Sequence, residues 1–370
     1  MKRKICFISL GSYPLFSSNQ NLKYVGGAEV KQVLISKELA KRGYNISFIT
    51  YDEEGEKKAV FKEINIIKSF SPSNNYNLFY KARLLWKSLK KANSEIFIQS
   101  GGVAGFVGLF CYIKKKKFIR WIASDKNVLL NRVGEKTPLF LKILLYVDIK
   151  LSSMIIVQNK FQKQLIENKF KKRNIIIKNP IYIPRDIFDN GEKKKGDYVL
   201  WVGSIRTIKQ PELYLRIARM LPEYKFIMIG GKSDTEPDLY DPIREEAQAL
   251  HNLEFLGFIS YDKMQKYYEE SLVLLNTSKA EGFPNTFLEA WVNNTPVISL
   301  NVDPDEVICN EKLGLHSKTF EQMIIDVNTF LRDDKLRDEM GANGRKYVEE
   351  NHDIKKIADQ FVDILTSFKI

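Results

Sequence analysis

SLVLLNTSKAEGFPNTFLEAWVNNTPVISL, residues 271–300, contains a complete strand–loop–helix–strand unit. Residues 271–277 and 295–300 are continuous apolar runs rich in valine, leucine and isoleucine, the pattern of strands buried on both faces. Between them the spacing predicts a helix with Pro284 in its first turn, where a missing N–H costs nothing. Two such strands joined through a helix argue for a parallel sheet.

The alternation continues on both sides. Upstream stand DYVLWVG (197–203), YKFIMIG (224–230) and NLEFLGF (252–258), each followed by a helical pattern. The first half repeats the theme with KICFISL (4–10), NISFIT (45–50), EIFIQS (95–100), KFIRWIA (117–123), MIIVQN (154–159) and NIIIKN (174–179). The chain therefore reads as α/β, with two Rossmann-like doubly wound parallel-sheet domains facing a central cleft. The polar stretch DIFDNGEKKKGD (186–197) reads as the connection between them. The expected boundaries are 1–185, 196–353 and a closing amphipathic helix, 354–370, returning to the N-terminal domain.

At 370 residues, 44% hydrophobic and 28% charged, the chain is long enough for two cores, and the balance excludes a disordered or collagen-like protein. Its longest apolar stretches are interrupted by charge, as Lys142, Asp148 and Lys150 interrupt residues 139–151. Neither a membrane span nor a secretory segment is expected, and the expected location is the cytoplasm. Cys6, Cys111 and Cys309, like His251, His316 and His352, are scattered and announce neither a disulfide framework nor a zinc site.

The net charge of +13 conceals an asymmetry. Residues 1–185 carry 35 Lys and Arg against 12 Asp and Glu, or +23, whereas residues 186–370 carry 23 against 33, or −10. A basic half of this size is attracted to nucleic acid, an anionic membrane or a phosphorylated substrate. No helix-turn-helix, RRM or finger pattern accompanies it, so nucleic acid is not expected.

In open α/β sheets ligands bind beyond the carboxyl ends of strands, which directs attention to the loops there. Gly26-Gly27-Ala28-Glu29 opens a helix and suits a phosphate, although an ordinary loop-to-helix junction reads the same way. Gly203-Ser204-Ile205-Arg206-Thr207-Ile208-Lys209 offers two cations that suit a diphosphate leaving group, or two ordinary surface cations. Glu281 and Glu289 flank Gly282-Phe283-Pro284-Asn285-Thr286. Hydrolase carboxylates stand about 5–10 Å apart, whereas eight helical residues alone rise roughly 12 Å. The pair suits the hydroxyls of two different sugars better than glycosidase chemistry.

GGAE (26–29), VGSIRTIKQPEL (202–213), MIGG (228–231), LGFIS (256–260) and EGFPNTFLEAWVNNTPVIS (281–299), with its E-x7-E spacing, fall in order over nearly the whole chain. Together they resemble the retaining family 4 glycosyltransferases of GT-B fold. The resemblance implies a nucleotide-diphospho-sugar donor on the second domain and a glycan or lipid-linked acceptor on the first. It assigns the ribose to Glu289, the transferred sugar to Glu281, and sugar and phosphate contacts to residues from Gly282 and Phe283 through Pro284 and Asn285 to Thr286. It assigns the diphosphate to Lys209 and the Arg206 region, with Gly26 and Gly27 approaching it, and the nucleotide base to the neighbourhood of Gly231 and Phe258. It implies retention of anomeric configuration by front-face attack, no essential metal and no other cofactor.

Two positions depart from the pattern. Ser204 stands where the family usually has Arg, leaving Arg206 to compensate, and Asp125 stands in Ala123-Ser124-Asp125 where a His is common. Asp125 then holds the donor sugar or an acceptor hydroxyl, or simply caps a turn. Asp303-Pro304-Asp305 has the outline of a metal-binding D-x-D, but its proline favours a turn.

In residues 79–92, Ala82, Leu85, Trp86 and Leu89 share one helical face and Arg83, Lys87, Lys90 and Lys91 the other. A packed helix with a solvated basic face satisfies this pattern, and so does a helix lying on an anionic bilayer. With Lys114–Lys117, the basic half suits a lipid-phosphate acceptor, placing the enzyme peripherally on the inner face of the plasma membrane. The expected activity is hexosyl transfer from a nucleotide-sugar in cell-surface polysaccharide or lipopolysaccharide synthesis. The alternatives are a nucleotide-sugar epimerase on the same architecture and a non-catalytic anion-binding protein.

Overall fold

A computed structural model describes residues 2–16, 26–53, 63–101, 105–125, 128, 139–184 and 196–368. Most of the expected connection, 186–195, lies outside the described residues. The chain forms two compact units, one of residues 1–180 with 354–370 and one of residues 181–353.

The first unit holds a seven-stranded parallel sheet: β1 (Lys4–Ile8), β2 (Asn45–Thr50), β3 (Ile64–Lys68), β4 (Ile96–Ser100), β5 (Lys117–Trp121), β6 (Met154–Val157) and β7 (Asn174–Ile176). Their order is β3-β2-β1-β4-β5-β6-β7. The closing helix, Ile354–Ser367, buries Ile354, Ile357, Ala358, Phe361, Ile364 and Leu365, the three-and-four spacing of one helical face. Its Phe361 ring lies 5.0 Å from Trp121 of β5, so this helix completes the first unit's core.

The second unit holds six parallel strands: β8 (Tyr198–Val202), β9 (Lys225–Ile229), β10 (Leu253–Gly257), β11 (Ser271–Asn276), β12 (Val297–Ser299) and β13 (Gly314–His316), ordered β10-β9-β8-β11-β12-β13. In both sheets the order reverses beside the first strand, between β1 and β4 and between β8 and β11. The loops after those strands diverge to opposite faces and leave a crevice at the carboxyl ends.

The 271–300 unit forms as read, except that Pro284 is the N-cap of helix Asn285–Trp291 rather than part of its first turn. With φ −65° and ψ 125°, Pro284 is extended, and its ring fixes the angle at which the chain enters the helix. The helix stops because Asn294 turns left-handed (φ 57°), a conformation asparagine tolerates, and Thr295 N–H returns to Ala290 C=O at 2.9 Å. Trp291 is fully buried and donates to Leu313 C=O at 3.0 Å, tying the helix to the approach of β13.

Candidate donor site and its relatives

The loops after β8 and β11 are stitched together. Thr277 Oγ1 accepts from Trp201 Nε1 at 3.0 Å and donates to Lys209 C=O at 2.7 Å, and Lys279 N–H donates to Ile208 C=O at 2.9 Å. This places Lys209 and Glu281, 72 residues apart, side by side: Lys209 Nζ lies 2.6 Å from Glu281 Oε1, each side chain 16% exposed. Ser278 Oγ (2.7 Å) and Asn276 Nδ2 (3.2 Å) donate to the same oxygen. Burial alone would raise the Glu281 carboxyl's pKa, but Lys209 and these donors outweigh it and hold it below the ordinary range. Glu281 is thus an ionised, oriented acceptor at neutral pH.

Glu289 has a different setting. It is partly buried on helix Asn285–Trp291 and accepts from Tyr268 Oη at 2.5 Å. Burial pushes its pKa up to about 7, against the lowering effect of that hydrogen bond. The folded state therefore binds a proton that the unfolded chain releases near pH 4.5, and stability falls as pH rises through the window from 4.5 to 7. We predict that Glu289→Gln flattens this dependence and raises stability at pH 8 by roughly 1–3 kcal/mol. Thermal unfolding of both proteins between pH 5 and 8 checks it, and parallel curves would contradict it.

The remaining second-unit residues lie around the same strand ends. Buried Ser204 accepts from Arg206 Nε at 2.8 Å, so the arginine is folded over the position where the resemblance expects one. Gly203 N–H donates to Ile229 C=O and Ile205 N–H to Gly231 C=O, both at 3.0 Å. A Cβ on Gly230 would sit 2.4 Å from Gly203 C=O, so only glycine permits this approach of the two loops. Gly231 faces Phe258, whose side-chain Cβ lies 3.4 Å from where a Cβ on Gly231 would be, and Phe258 remains 40% exposed. Gly282, Phe283 and Pro284 are buried; Asn285 and Thr286 are partly buried.

Gly26, Gly27 and Asp125 belong to the first unit. Gly26 caps helix Gly27–Lys41, and its C=O accepts from Glu29 and Val30 at 3.1 and 3.2 Å. A Cβ there would lie 2.6 Å from Glu29 Oε2. Asp125 Oδ1 accepts from Gln162 Nε2 at 2.8 Å, and Gln162 Oε1 accepts from Gln158 N–H at 2.9 Å, beyond the ends of β5 and β6. Asp125 is thus held by a side chain from another element, and its C=O also accepts from Val128 N–H at 3.0 Å as a turn requires.

Three features escaped the sequence reading. Asn276 and Ser278 follow β11 directly, and that position at the order reversal was their only signal. Tyr268, Glu289's partner, carried none. Asp303, Cys309 and His316, scattered in sequence, bring one ligand atom each to within 4.8 Å of one another. Asp303-Pro304-Asp305 forms a turn, as its proline favoured: Asp303 caps Ile308 and Cys309 N–H, and Asp305 is left-handed (φ 54°).

Residues 183–347, which hold all of the second-unit positions named above, match the family described as Glycosyl transferases group 1. An uncharacterized glycosyltransferase of Haemophilus influenzae is 24% identical over 361 residues, covering 93% of this chain and 98% of its own. An alpha-1,4-N-acetyl-D-galactosaminyltransferase of Campylobacter jejuni, named for an undecaprenol-diphosphate-linked glycan, is 22% identical over 368 residues, covering 93% and 96%. Among solved structures, sucrose-phosphate synthase from Thermosynechococcus elongatus has a TM-score of 0.82 at 16% identity over 98% of both chains. HepE of Anabaena, solved with UDP and glucose, has a TM-score of 0.78 at 15% identity over 99% of this chain and 100% of its own. The chain has the GT-B fold of these solved structures and, over residues 183–347, matches the glycosyl transferases group 1 family.

Proposed function

We propose that the protein transfers a hexosyl group, with retention, from a nucleotide-diphospho-sugar held by the second unit to a glycan or lipid-linked acceptor held by the first. The observation that carries this reading is the Lys209–Glu281 pair at the β8/β11 order reversal. A cation beside an ionised carboxylate serves both ends of the scissile bond. Lys209 and Arg206 stabilise the negative charge that develops on the departing diphosphate, and Glu281 accepts from a sugar hydroxyl.

Glu289, protonated or ionised near neutrality, holds the ribose, and Gly231 with exposed Phe258 receives the base. Asp125, fixed by Gln162, positions the donor sugar or an acceptor hydroxyl. The acceptor oxygen attacks the anomeric carbon from the face that the diphosphate leaves, and the leaving phosphate oxygen takes the acceptor proton. This assignment gives the leaving-group charge to side chains and asks for no metal.

Relatives named for O-antigen biosynthesis and for an undecaprenol-linked glycan support a lipid-linked acceptor in surface polysaccharide assembly. The first unit's surface is consistent with it. Helix Leu78–Ala92 packs through Leu85 and Leu89 and leaves Arg83, Lys87, Lys90 and Lys91 exposed. Phe79 (87% exposed), Tyr112 and Leu139 expose apolar surface on the same unit, and Lys114 and Lys115 are exposed beside Tyr112. No helix among the described residues is long and apolar enough to cross a membrane. The basic and apolar surfaces of the first unit are the ground for proposing a peripheral position on an anionic leaflet at the cytoplasmic face.

The test is nucleoside-diphosphate release from a panel of nucleotide-sugars, with lipid-linked acceptor supplied in anionic vesicles. Release that requires acceptor, forms an α-linkage from an α-linked donor, and weakens as salt rises is the expected result. Donor conversion without acceptor would replace this reading with the epimerase. Anion binding without turnover would replace it with a binding protein.

A further inference from the structure

Outside the donor pocket, the loop after β12 and the end of β13 hold a carboxylate, a thiol and an imidazole around one point. Asp303 precedes the single-turn helix Val307–Asn310, which carries Cys309, and His316 ends β13. One ligand atom from each lies within 4.8 Å of the other two, and Asp303 Oδ2 stands 3.9 Å from His316 Nδ1. Ligands on a tetrahedral ion with bonds of about 2.0–2.3 Å stand roughly 3.3–3.7 Å apart. Closing the widest separation to that range takes a movement of about 1–1.5 Å.

The chemistry of the three groups favours a cation. The Asp303 side chain is 3% exposed and faces the His316 imidazole. Its Oδ1 accepts from Ile308 N–H at 2.8 Å and its Oδ2 from Cys309 N–H at 3.3 Å. Burial together with a hydrogen bond to this carboxylate raises the Cys309 thiol's pKa, and a bound cation would displace that thiol's proton. His316 Nε2 is buried with no hydrogen-bond partner among the described residues, and Nδ1 is beyond hydrogen-bond distance of Asp303. With no hydrogen bond from Asp303, Nδ1 keeps a lone pair that a metal ion can take. Cys309 is exposed, and together with His316 it lines a pocket shared with Lys312, Gln322 and Asp326.

We propose that Asp303, Cys309 and His316 form a binding site for a thiophilic divalent cation, Zn²⁺ by donor set, with water completing the tetrahedron. Sulfur, nitrogen and oxygen together select against Mg²⁺ and Ca²⁺, which favour all-oxygen shells. The ion fastens the loop after β12 to β13. Asn301 of that loop donates to Ser278 C=O at 3.2 Å, and Ser278 Oγ donates to Glu281, so the fastening supports the donor-site carboxylate from behind. The site is separate from the transfer chemistry.

The test is titration of the metal-stripped full-length protein with Co²⁺, read by its thiolate-to-metal charge-transfer absorption and its visible bands, followed by Zn²⁺ displacement. The expected result is one Co²⁺ per chain, displaced by one Zn²⁺. The thiolate absorption is lost in Cys309→Ser and the affinity falls at least tenfold in His316→Ala. Zn²⁺ should also raise the melting temperature of the wild type and leave Cys309→Ser unmoved. Unchanged thiolate absorption in Cys309→Ser would assign the metal to another cysteine and overturn the proposal, as would no thiolate absorption in the wild type. Because Cys309 is exposed, its serine variant keeps the fold, and the outcome does not depend on the donor assignment.

Discussion

Glu281→Ala and Lys209→Ala should each lower turnover by on the order of 10²–10³-fold, the usual cost of removing a contact that strengthens in the transition state. The two side chains share a 2.6 Å ion pair on one carboxylate oxygen, which Ser278 and Asn276 also address. On the proposed assignment, removing Glu281 takes away the ionised acceptor for the sugar and leaves Lys209 free to swing from the diphosphate. Removing Lys209 takes away the main charge facing the leaving group, and Glu281 loses the cation that keeps its pKa low. The losses are coupled, so the double variant should lose far less than the product of the single losses. Initial rates at saturating donor and acceptor measure this. Near-normal turnover in both single variants would remove the pair from the chemistry.

Arg120→Met should destabilise the first unit by about 3–5 kcal/mol, the cost of leaving a buried charge without its partner. Arg120 and Asp148 are 1% and 0% exposed and stand 3.6 Å apart, and Arg120 also donates to Gly101 C=O at 3.1 Å. Burial raises the Asp148 pKa while Arg120 opposes that rise, so removing the arginine leaves a carboxyl that must be protonated or expelled. Pairing Arg120→Met with Asp148→Leu should recover much of the loss, because apolar side chains of similar volume replace buried ion pairs at little cost. Urea unfolding of the single and double variants provides the measurement. A single variant within about 1 kcal/mol of wild type would mean that the pair is not buried as described.

Asp148 also shows where sequence reading stops. In residues 139–151 it marked a break in an apolar run. In the fold it is a buried counter-charge, and nothing local announces that Arg120 on β5 faces it. Most strands that announced themselves, such as β1, β4 and β6, are buried on both faces, where apolar residues follow one another with little interruption. Two others passed unnoticed. β3 has the partly exposed sequence INIIK beside a highly charged segment, and β13 is Gly314-Leu315-His316, whose single large apolar residue makes no run.

The candidate donor site divides in the same way. Glu281, Glu289, Ser204, Arg206 and Lys209 were legible because chemistry in an open α/β sheet collects after strands. That Lys209 meets Glu281 depends on β8 and β11 being neighbours, which only the sheet order reveals. Tyr268 lies before β11 and reaches Glu289 through the packing of two short helices. The Asp303, Cys309 and His316 cluster likewise comes from neighbouring strand ends rather than from a metal-ligand spacing.

On the proposed reading, the second unit binds a nucleotide-sugar through the residues around the β8/β11 reversal. The most direct measurement is a thermal-shift panel of UDP, GDP and ADP with their sugar conjugates, run on the wild type, Glu289→Ala and Lys209→Ala, since a ligand that binds only the folded state raises its apparent stability. The account predicts a shift with one nucleotide family, larger for the diphosphate than for the free nucleoside. That shift should weaken in Glu289→Ala through the ribose and in Lys209→Ala through the diphosphate. Millimolar nucleotide that moves the wild type not at all, or moves all three proteins equally, would contradict it.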